Sequence, residues 1–536
     1  MGDAVTIDFA GILIYTQIHA ALQASDISDF RPFRSRVKFV FFGAGPNVPC
    51  FRHCLLDTLM KHIVFVNPPL SLAERYGALA SAGSTMPALG LCWLASVCRR
   101  SGYETSIIDA AIKNLNYETI AGRIAELHAD YVGITALTCS IHSASRLAQA
   151  VKKNGAGIQT LIGGPHLTAL PEETMRMFPA FDTGFLGEGE ETLVDYLKAR
   201  ESGGTLEDVK GLVCRSGNSI KVTEPRLFIE DLDSLPLPAW DLLEGFPGAY
   251  APAAIRCRHL PASHMVTSRG CPMKCTFCDR SVFGNRYRFF SVEYTLEMVR
   301  TLVNRFKVRD ILFEDDSFTL HKKRVLSLCE LIQRNNLHFS WSCLGRVDTI
   351  DAELLRSIKK AGCWQIGFGI ESANPDVLDG VEKKINLEKI RQALALTRAV
   401  GIRTKGFFIL GLPHETEETI RESMRFAREA ELDDISVSFC TPFPGTALLE
   451  RANEFGDFDQ DFDKMNLMHA VFVPAGLTRK QLEESHAQFF RQFYLRPRIV
   501  LDYSLRILTD MGIFLRIVRG TFFFLFAALQ TKRSQQ

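Results

Sequence analysis

The sequence predicts an α/β chain: a parallel, doubly wound sheet, then a partial (β/α)6 barrel of the TIM type, then a helical C-terminal extension. Three observations predict it. Strand and helix signals alternate from Lys61 to about residue 200. The alternation pauses over residues 201–262, then resumes at His264 and runs to about residue 445. Three cysteines, Cys271, Cys275 and Cys278, fall in the first strand-to-helix loop of that second run. With 536 residues the chain is too long for a single core, so several domains are expected.

Residues 1–59 match neither run. An apolar stretch at 9–15 lacks a basic lead, and 31–54 has no clear period. The pattern sharpens at Met60, so residues 1–59 are expected to be an extension upstream of a natural start. A genuine but irregular arm is the other reading.

In the first run, short apolar strands are expected at 63–66, 105–108, 131–135, 160–162 and 183–186. Helical patterns lie between and after them at 89–100, 117–127, 143–153, 171–178 and 191–198. The fourth helix opens on Pro171 with Glu172 and Glu173 in its first turn, as a helix N-terminus favours. Five such units give a parallel sheet covered on both faces, with ligands at the strands' carboxyl ends. Those ends carry Asn67, Asp109, residues 135–140 including Thr138, the run Gly163-Gly164-Pro165-His166, and the run Gly187-Glu188-Gly189-Glu190. Glycines there permit close backbone approach to a large ligand. By physics alone this is a cofactor- or nucleotide-binding sheet. Residues 201–262 read as a connector, with a hairpin at 211–222 and an extended stretch around Pro236 and Pro238.

In the second run, strands are expected at 265–267, 310–313, 339–343, 365–369, 404–410 and 435–439. Helices are expected from Ser291 and Asp351 as N-caps, and after Asn386 and Thr416. The strand ends carry Glu314-Asp315-Asp316, Gly345-Arg346, Gly369-Ile370-Glu371-Ser372, Gly406 through Ile409 and Gly411 to Pro413, and residues 441–446. Each has an ordinary reading as a cap or turn. Gathered on the carboxyl face of one barrel, they make a site.

Three thiolates at offsets of four and three converge on one group. A [4Fe–4S] cubane can take three thiolates and leave its fourth iron open to a small molecule, and Gly270 and Pro272 let the backbone turn around it. A structural zinc is the alternative, with Cys257, His259 or His264 as fourth ligand. The Cys-x-x-x-Cys-x-x-Cys spacing with Phe277 before the last cysteine resembles the signature of radical S-adenosylmethionine (radical SAM) enzymes. The Gly-Gly-Pro-His and Gly-Glu-Gly-Glu runs resemble the cobalamin-binding domain that precedes the radical domain in one subfamily. That subfamily includes the anaerobic magnesium-protoporphyrin ester cyclases and cobalamin-dependent methylases. The resemblance covers about residues 60–445. It departs at Asp109-Ala110-Ala111-Ile112-Lys113-Asn114, where many cobalamin proteins have Asp-x-His-x-x-Gly. The absence of a histidine at Ala111 implies that no histidine coordinates the lower face of cobalt; His166 is the other candidate, but its place in a loop motif suits backbone shaping instead.

The resemblance implies a [4Fe–4S] cluster on Cys271, Cys275 and Cys278, S-adenosylmethionine and cobalamin. It implies S-adenosylmethionine contacts from Phe277, Arg346, Glu371, Ser372, Gly406, Ile409 and Gly411, with Glu314, Asp315 and Asp316 near the sulfonium or substrate. It implies cobalamin contacts from Asn67, Asp109, Thr138, Gly163, Gly164, His166, Gly187, Glu188 and Gly189. The implied chemistry is reductive cleavage of S-adenosylmethionine to a 5′-deoxyadenosyl radical, then methylation of an unactivated carbon. An external electron donor such as flavodoxin or ferredoxin follows, with a small-molecule substrate, which a C-terminus on a membrane would make an apolar one such as a lipid or isoprenoid. Oxidative cyclisation or lipid modification without methyl transfer is the alternative within the family. A non-catalytic zinc-stabilised module is the alternative outside it.

Composition bounds these readings. A net charge of +1 argues against a general nucleic-acid binder. Of 14 cysteines, those outside the triplet are scattered, and Cys92, Cys98, Cys139, Cys329, Cys343, Cys363 and Cys440 sit in apolar segments and read as buried thiols. No secretory signal is evident, so a reducing cytoplasm is expected. The apolar run at 513–529 is broken by Arg516 and Arg519, too short to span a bilayer. Residues 491–536 hold eight basic residues against two acidic, around a run of phenylalanines at 522–524. That suits a helix lying on a membrane surface or, equally, one packed on the barrel.

Overall fold

Strand β1 (His62–Asn67) carries apolar side chains on both faces. Ile63 and Phe65 enter one core, and Val64 and Val66 another. A strand apolar on both sides must be covered on both sides. The structure, a computed structural model, describes residues 60–509 apart from 78, 79, 81, 82, 114, 156, 218, 254 and 255. The expected extension over 1–59 lies outside the described residues.

Strands β2 (Glu104–Asp109), β3 (Tyr131–Thr135), β4 (Gln159–Gly163) and β5 (Thr183–Phe185) pair in parallel in the order β2-β1-β3-β4-β5. Helices α1 (Leu89–Arg100) and α5 (Gly189–Ser202) pack on the Ile63 and Phe65 face. Helices α2 (Tyr117–Glu126) and α3 (Ile141–Asn154) pack on the other. A shorter helix, α4 (Pro171–Met177), begins at Pro171 as predicted. The predicted hairpin forms as β6 (Leu212–Ser216) and β7 (Ser219–Val222), but it joins this sheet antiparallel beside β5. Its buried Leu212, Val213 and Cys214 close an edge that five parallel strands would leave open. The proline-rich stretch is not simply extended. Two short 3₁₀ turns, Leu232–Ser234 and Trp240–Leu242, seat it along α1, where the Ala239 N–H donates to the Cys92 carbonyl at 3.0 Å.

The second sheet is a six-stranded parallel half-barrel in the order β15-β14-β13-β12-β11-β8. It is built from β8 (Ala262–Met265), β11 (Asp310–Phe313), β12 (Ser340–Gly345), β13 (Cys363–Glu371), β14 (Arg403–Leu410) and β15 (Asp434–Phe439). Its first strand ends earlier than expected, because the Thr267 N–H donates to the Asp315 carboxylate (3.0 Å) rather than to a neighbouring strand. Beyond it, β9 (Ser268–Arg269) and β10 (Arg288–Phe289) pair antiparallel and close the neck of the cysteine loop. Helices α6 (Val292–Arg300), α7 (Lys322–Arg334), α8 (Ala352–Lys360), α9 (Leu387–Ala399) and α10 (Glu417–Glu429) cover the outside. Helices α6, α8, α9 and α10 start where the sequence predicts, and Ser291, Asp351, Asn386 and Thr416 cap them, each side-chain oxygen accepting a first-turn backbone N–H.

The C-terminal part comprises α11 (Ala447–Phe455), an antiparallel pair β16 (Gly456–Phe458) and β17 (Phe472–Pro474), α12 (Arg479–Tyr494) and α13 (Pro497–Thr509). Phe489 of α12 packs on Phe408 with ring centroids 5.0 Å apart. Among the described residues, no helix is long and apolar enough to cross a membrane.

Candidate active site

Alternation along the strands sends Ser342, Leu344, Gln365, Gly367, Lys405 and Phe407 into the barrel lumen. With Arg256 and Glu314 they line a cavity of about 20 Å³, room for one water. A Cβ on Gly367 would stand 2.7 Å from the Phe407 ring, so this glycine admits that ring. The floor is polar: Lys405 pairs with Asp434 at 3.0 Å and Arg256 with Glu314 at 2.5 Å. His264 is half-buried, and the protein around its ring pushes it down to about 4, hence neutral at physiological pH.

The cysteine loop hangs above this floor at the strands' carboxyl ends. Gly270 has φ +83°, and a Cβ there would meet the Arg286 carbonyl at 2.2 Å, so only glycine fits. The loop is also held from the barrel side. The Thr276 N–H donates to the Val381 carbonyl (3.1 Å), and the Thr276 carbonyl accepts from Leu448 (3.0 Å). Phe277 packs in one apolar cluster with Ile409 and Leu412, so the structure brings it to the end of β14. Gly411 lies there too, with φ +85°.

Cys275 is buried, and burial raises its thiol. Cys278 reaches solvent, yet enough protein surrounds its sulfur to push the thiol up to about 12. Lys383, Glu371 and Arg346 are the charged neighbours of Cys275. Arg346 makes a two-pronged pair with Asp348 (3.0 and 2.8 Å), and Glu371 accepts from Lys383 at 2.9 Å. A Cβ on Gly369 would strike both members of that second pair, which explains the glycine.

Among the described residues, no three His, Cys, Asp or Glu side chains gather at the spacing of one metal ion. Four ligands about 2.3 Å from one zinc lie within about 4 Å of each other. Cys257 is buried in an apolar cluster with Ala262 and Leu312 instead. A cubane takes one thiolate per iron and tolerates wider spacing, so the loop fits a cluster better than a zinc.

Three expected residues turn elsewhere. Gly406 lies on the outer face of β14, where a Cβ would crowd Phe408, Ile370 and Leu432 at 3.0–3.1 Å, so it serves close packing behind the sheet. Asp315 is fully buried behind the site and accepts from Thr267 and Ser268. Ser372 is likewise buried, its hydroxyl 3.4 Å from that of Ser423 and accepting from the Asn374 N–H at 3.2 Å.

On the first sheet the expected residues share the carboxyl edge. Asn67 donates to Asp109 (2.9 Å), whose other oxygen accepts from Tyr250 (3.2 Å), and burial raises this carboxyl. Gly164 has φ +113°, and a Cβ would stand 2.6 Å from the Ala136 carbonyl. The Gly163 carbonyl accepts from the Ala136 N–H at 2.9 Å. His166 is buried, its Nδ1 3.3 Å from the Thr138 hydroxyl, and burial pushes it down to about 4. The Phe462 ring meets it edge-on at 4.8 Å. Gly187 has φ +66°, and a Cβ there would come within 3.8 Å of the Val282 carbonyl in the cysteine loop. Gly189 opens α5 against Leu94. The side chain of Glu188 points away from the edge, into a buried ion network described below.

Residues 265–427 match the Radical SAM superfamily and residues 76–197 the B12 binding domain. An uncharacterized methyltransferase of Pyrococcus horikoshii is 32% identical over 445 residues, covering 83% of this chain and 94% of that protein. The chain belongs to the cobalamin-binding radical SAM enzymes. The anaerobic magnesium-protoporphyrin IX monomethyl ester cyclase of Cereibacter sphaeroides is 31% identical to this radical SAM chain, over 82% of the chain and 71% of the cyclase. The fold matches OxsB, a cobalamin-dependent S-adenosylmethionine radical enzyme, with a TM-score of 0.67 at 18% identity, covering 86% and 72% of the two chains. The cofactors of this radical SAM enzyme are a [4Fe–4S] cluster, S-adenosylmethionine and cobalamin.

Sequence reasoning missed Lys383 and the segment carrying Phe462. Lys383 stands in the run Gly380-Val381-Glu382-Lys383-Lys384, which reads as a solvated helix end. Phe462 is remote in sequence from the sheet it touches. No local pattern marks either; only the folded chain brings them to the sites.

Proposed function

We propose that this enzyme methylates an unactivated carbon of a small molecule, using cobalamin held on the first sheet and radical chemistry started in the barrel. When bound, the cluster and S-adenosylmethionine supply the radical and cobalamin supplies the methyl group. Cys271, Cys275 and Cys278 would hold the cluster. Arg346 and Lys383 offer positive charge to the methionine carboxylate beside Cys275. Phe277, Ile409 and Gly411 offer an apolar wall and free backbone for the adenine. Asn67, Asp109, Thr138, Gly163, Gly164, His166, Gly187 and Gly189 would border the cobalamin.

One observation supports the pairing of the two chemistries above all. The Gly187 loop, at the carboxyl edge of the first sheet, lies directly against the cysteine loop, at the carboxyl edge of the second. Ligands on both edges would therefore face one another. The polar lumen floor favours a substrate that carries hydrogen-bonding groups over an apolar one. Electrons would come from an external donor such as flavodoxin or ferredoxin.

The test is anaerobic reaction of reconstituted enzyme and low-potential reductant with cell extract and S-adenosylmethionine carrying a labelled methyl group. Label should enter an extracted small molecule, and the Cys271→Ala/Cys275→Ala/Cys278→Ala variant, lacking iron and sulfide, should transfer none. Formation of 5′-deoxyadenosine with an oxidised, unlabelled product would instead establish the cyclase-type reading that the Cereibacter relative raises.

A further inference from the structure

We infer that Glu188 and Glu190 are positioning residues that lock the cobalamin sheet to the cysteine loop and so fix the distance between cobalamin and cluster. The inference rests on the two cofactors being bound, not on methyl transfer being the outcome.

Glu188 Oε1 accepts from Arg269 Nη1 at 2.7 Å, and Glu188 Oε2 accepts from Arg288 Nη1 at 2.8 Å. Glu190 Oε1 accepts from the other Arg269 terminus, Nη2, at 2.5 Å. The Ile229 N–H completes Glu188 Oε2 at 2.8 Å. All four charged side chains are at most 7% exposed. Two carboxylates meet two guanidiniums, so the buried charge sums to zero. Arg269 is further sandwiched between the rings of Trp93, from α1, and Phe283, from the cysteine loop, at 5.3 and 5.5 Å.

The location gives the network its meaning. Glu188 sits between β5 and α5, and Glu190 in the first turn of α5, at the edge where cobalamin is expected. Arg269 and Arg288 are directly opposite each other in the β9–β10 neck, and Gly270 and Cys271 follow Arg269 immediately. A single carboxylate, Glu188, therefore grips both strands of the neck. Buried ion pairs are a poor way to gain stability, since apolar residues of similar volume often do as well or better. They are, however, directional, and a two-pronged guanidinium contact tolerates little displacement. A geometry that must be held to a fraction of an ångström is where such a device earns its place.

The test uses the holoenzyme with the cluster reduced and cobalamin as Co(II), both paramagnetic. In the wild type, the two spins should relax one another, with a defined dipolar coupling. Glu190→Gln removes one contact and keeps Glu188. It should leave iron, sulfide and cobalamin content near wild type, lower the melting temperature because a buried guanidinium charge loses its balance, and broaden that coupling into a distribution. Glu188→Gln should do so more strongly. A sharp, unchanged coupling in both variants overturns the inference, leaving the network as ordinary interior packing. If Glu188→Gln does not fold, hydrogen exchange of the wild type decides. Backbone amides at 186–190 and 268–270 should open together, and independent opening overturns the lock.

Discussion

Lys383 Nζ lies 2.9 Å from Glu371 Oε1, with the two side chains only 10% and 9% exposed, beside Cys275. Glu371 holds φ +64° at the point where β13 slips register against β14. A non-glycine residue in that conformation costs of order 1–3 kcal/mol and persists where its surroundings demand it. The pair therefore looks built for the site.

Lys383→Met should test this. It leaves Glu371 buried without a partner, which typically costs about 3–5 kcal/mol, and it removes positive charge from beside Cys275. Melting temperature should fall, and the Kd for S-adenosylmethionine should rise at least tenfold (about 1.4 kcal/mol). Adding Glu371→Gln should restore much of the stability. If the double variant also regains full affinity, the pair is structural and does not serve the ligand.

Much of this site was legible in the sequence because its determinants are local. The cysteine spacing, the four helix caps and the strand-end glycines are each read within a few residues. Gly164 and Gly270 were legible for a definite reason, since both need positive φ in crowded turns. What could not be read is what depends on contacts between distant residues. Gly406 looked like a ligand-facing glycine until the strand's alternation placed it outward against Leu432. Glu188 looked like a cobalamin contact because its run lies at a strand end. Its partners, Arg269 and Arg288, are about 80 and 100 residues away. The hairpin at 211–222 was found, but an isolated hairpin does not declare which sheet edge it will cover.

Cobalamin should bind without a histidine on cobalt. The usual motif position holds Ala111, and His166 is buried between Thr138 and Phe462. Electron paramagnetic resonance of the Co(II) form should be the same in wild type and His166→Ala. A nitrogen splitting present in the wild type and lost in His166→Ala would establish His166 as a ligand.

Stability should fall as pH rises through the neutral range, because of Glu415. Burial pushes this carboxyl up from 4.5 to about 8, partly opposed by the backbone N–H groups of Gly411 and Leu412. The folded chain thus keeps a proton that the unfolded chain releases near 4.5. Where the folded state binds more protons, stability declines with rising pH. The window runs from about 4.5 to about 8, with a slope of at most about 1.4 kcal/mol per pH unit, and closes above it. Glu415→Gln, permanently neutral, should flatten the dependence of melting temperature on pH over that window. An equally steep wild type and variant would show that Glu415 is not its source.

We propose that the C-terminus touches a membrane surface. The basic, phenylalanine-rich stretch that suggests this, Arg506 to Leu529, lies outside the described residues beyond Thr509. The described part of α13 supports the idea. Val500, Leu501 and Leu505 are 48%, 61% and 55% exposed on one short helix, an apolar patch with no cover among the described residues. Ile499 is buried, and the pairs Arg403–Asp502 (2.7 Å) and Arg498–Asp433 (2.8 Å) tie the helix to the barrel. The sequence leaves membrane contact and packing on the barrel equal, and a truncation beyond the docked part separates them. Truncation after Thr509 keeps these ion pairs, so the shortened enzyme should stay folded and cluster-loaded. It should, however, lose sedimentation with anionic liposomes at low salt, where each nearby arginine contributes about 1 kcal/mol. If truncation instead makes the protein insoluble or strips the cluster, the segment packs on the barrel. Full-length enzyme that ignores such liposomes rules the membrane contact out.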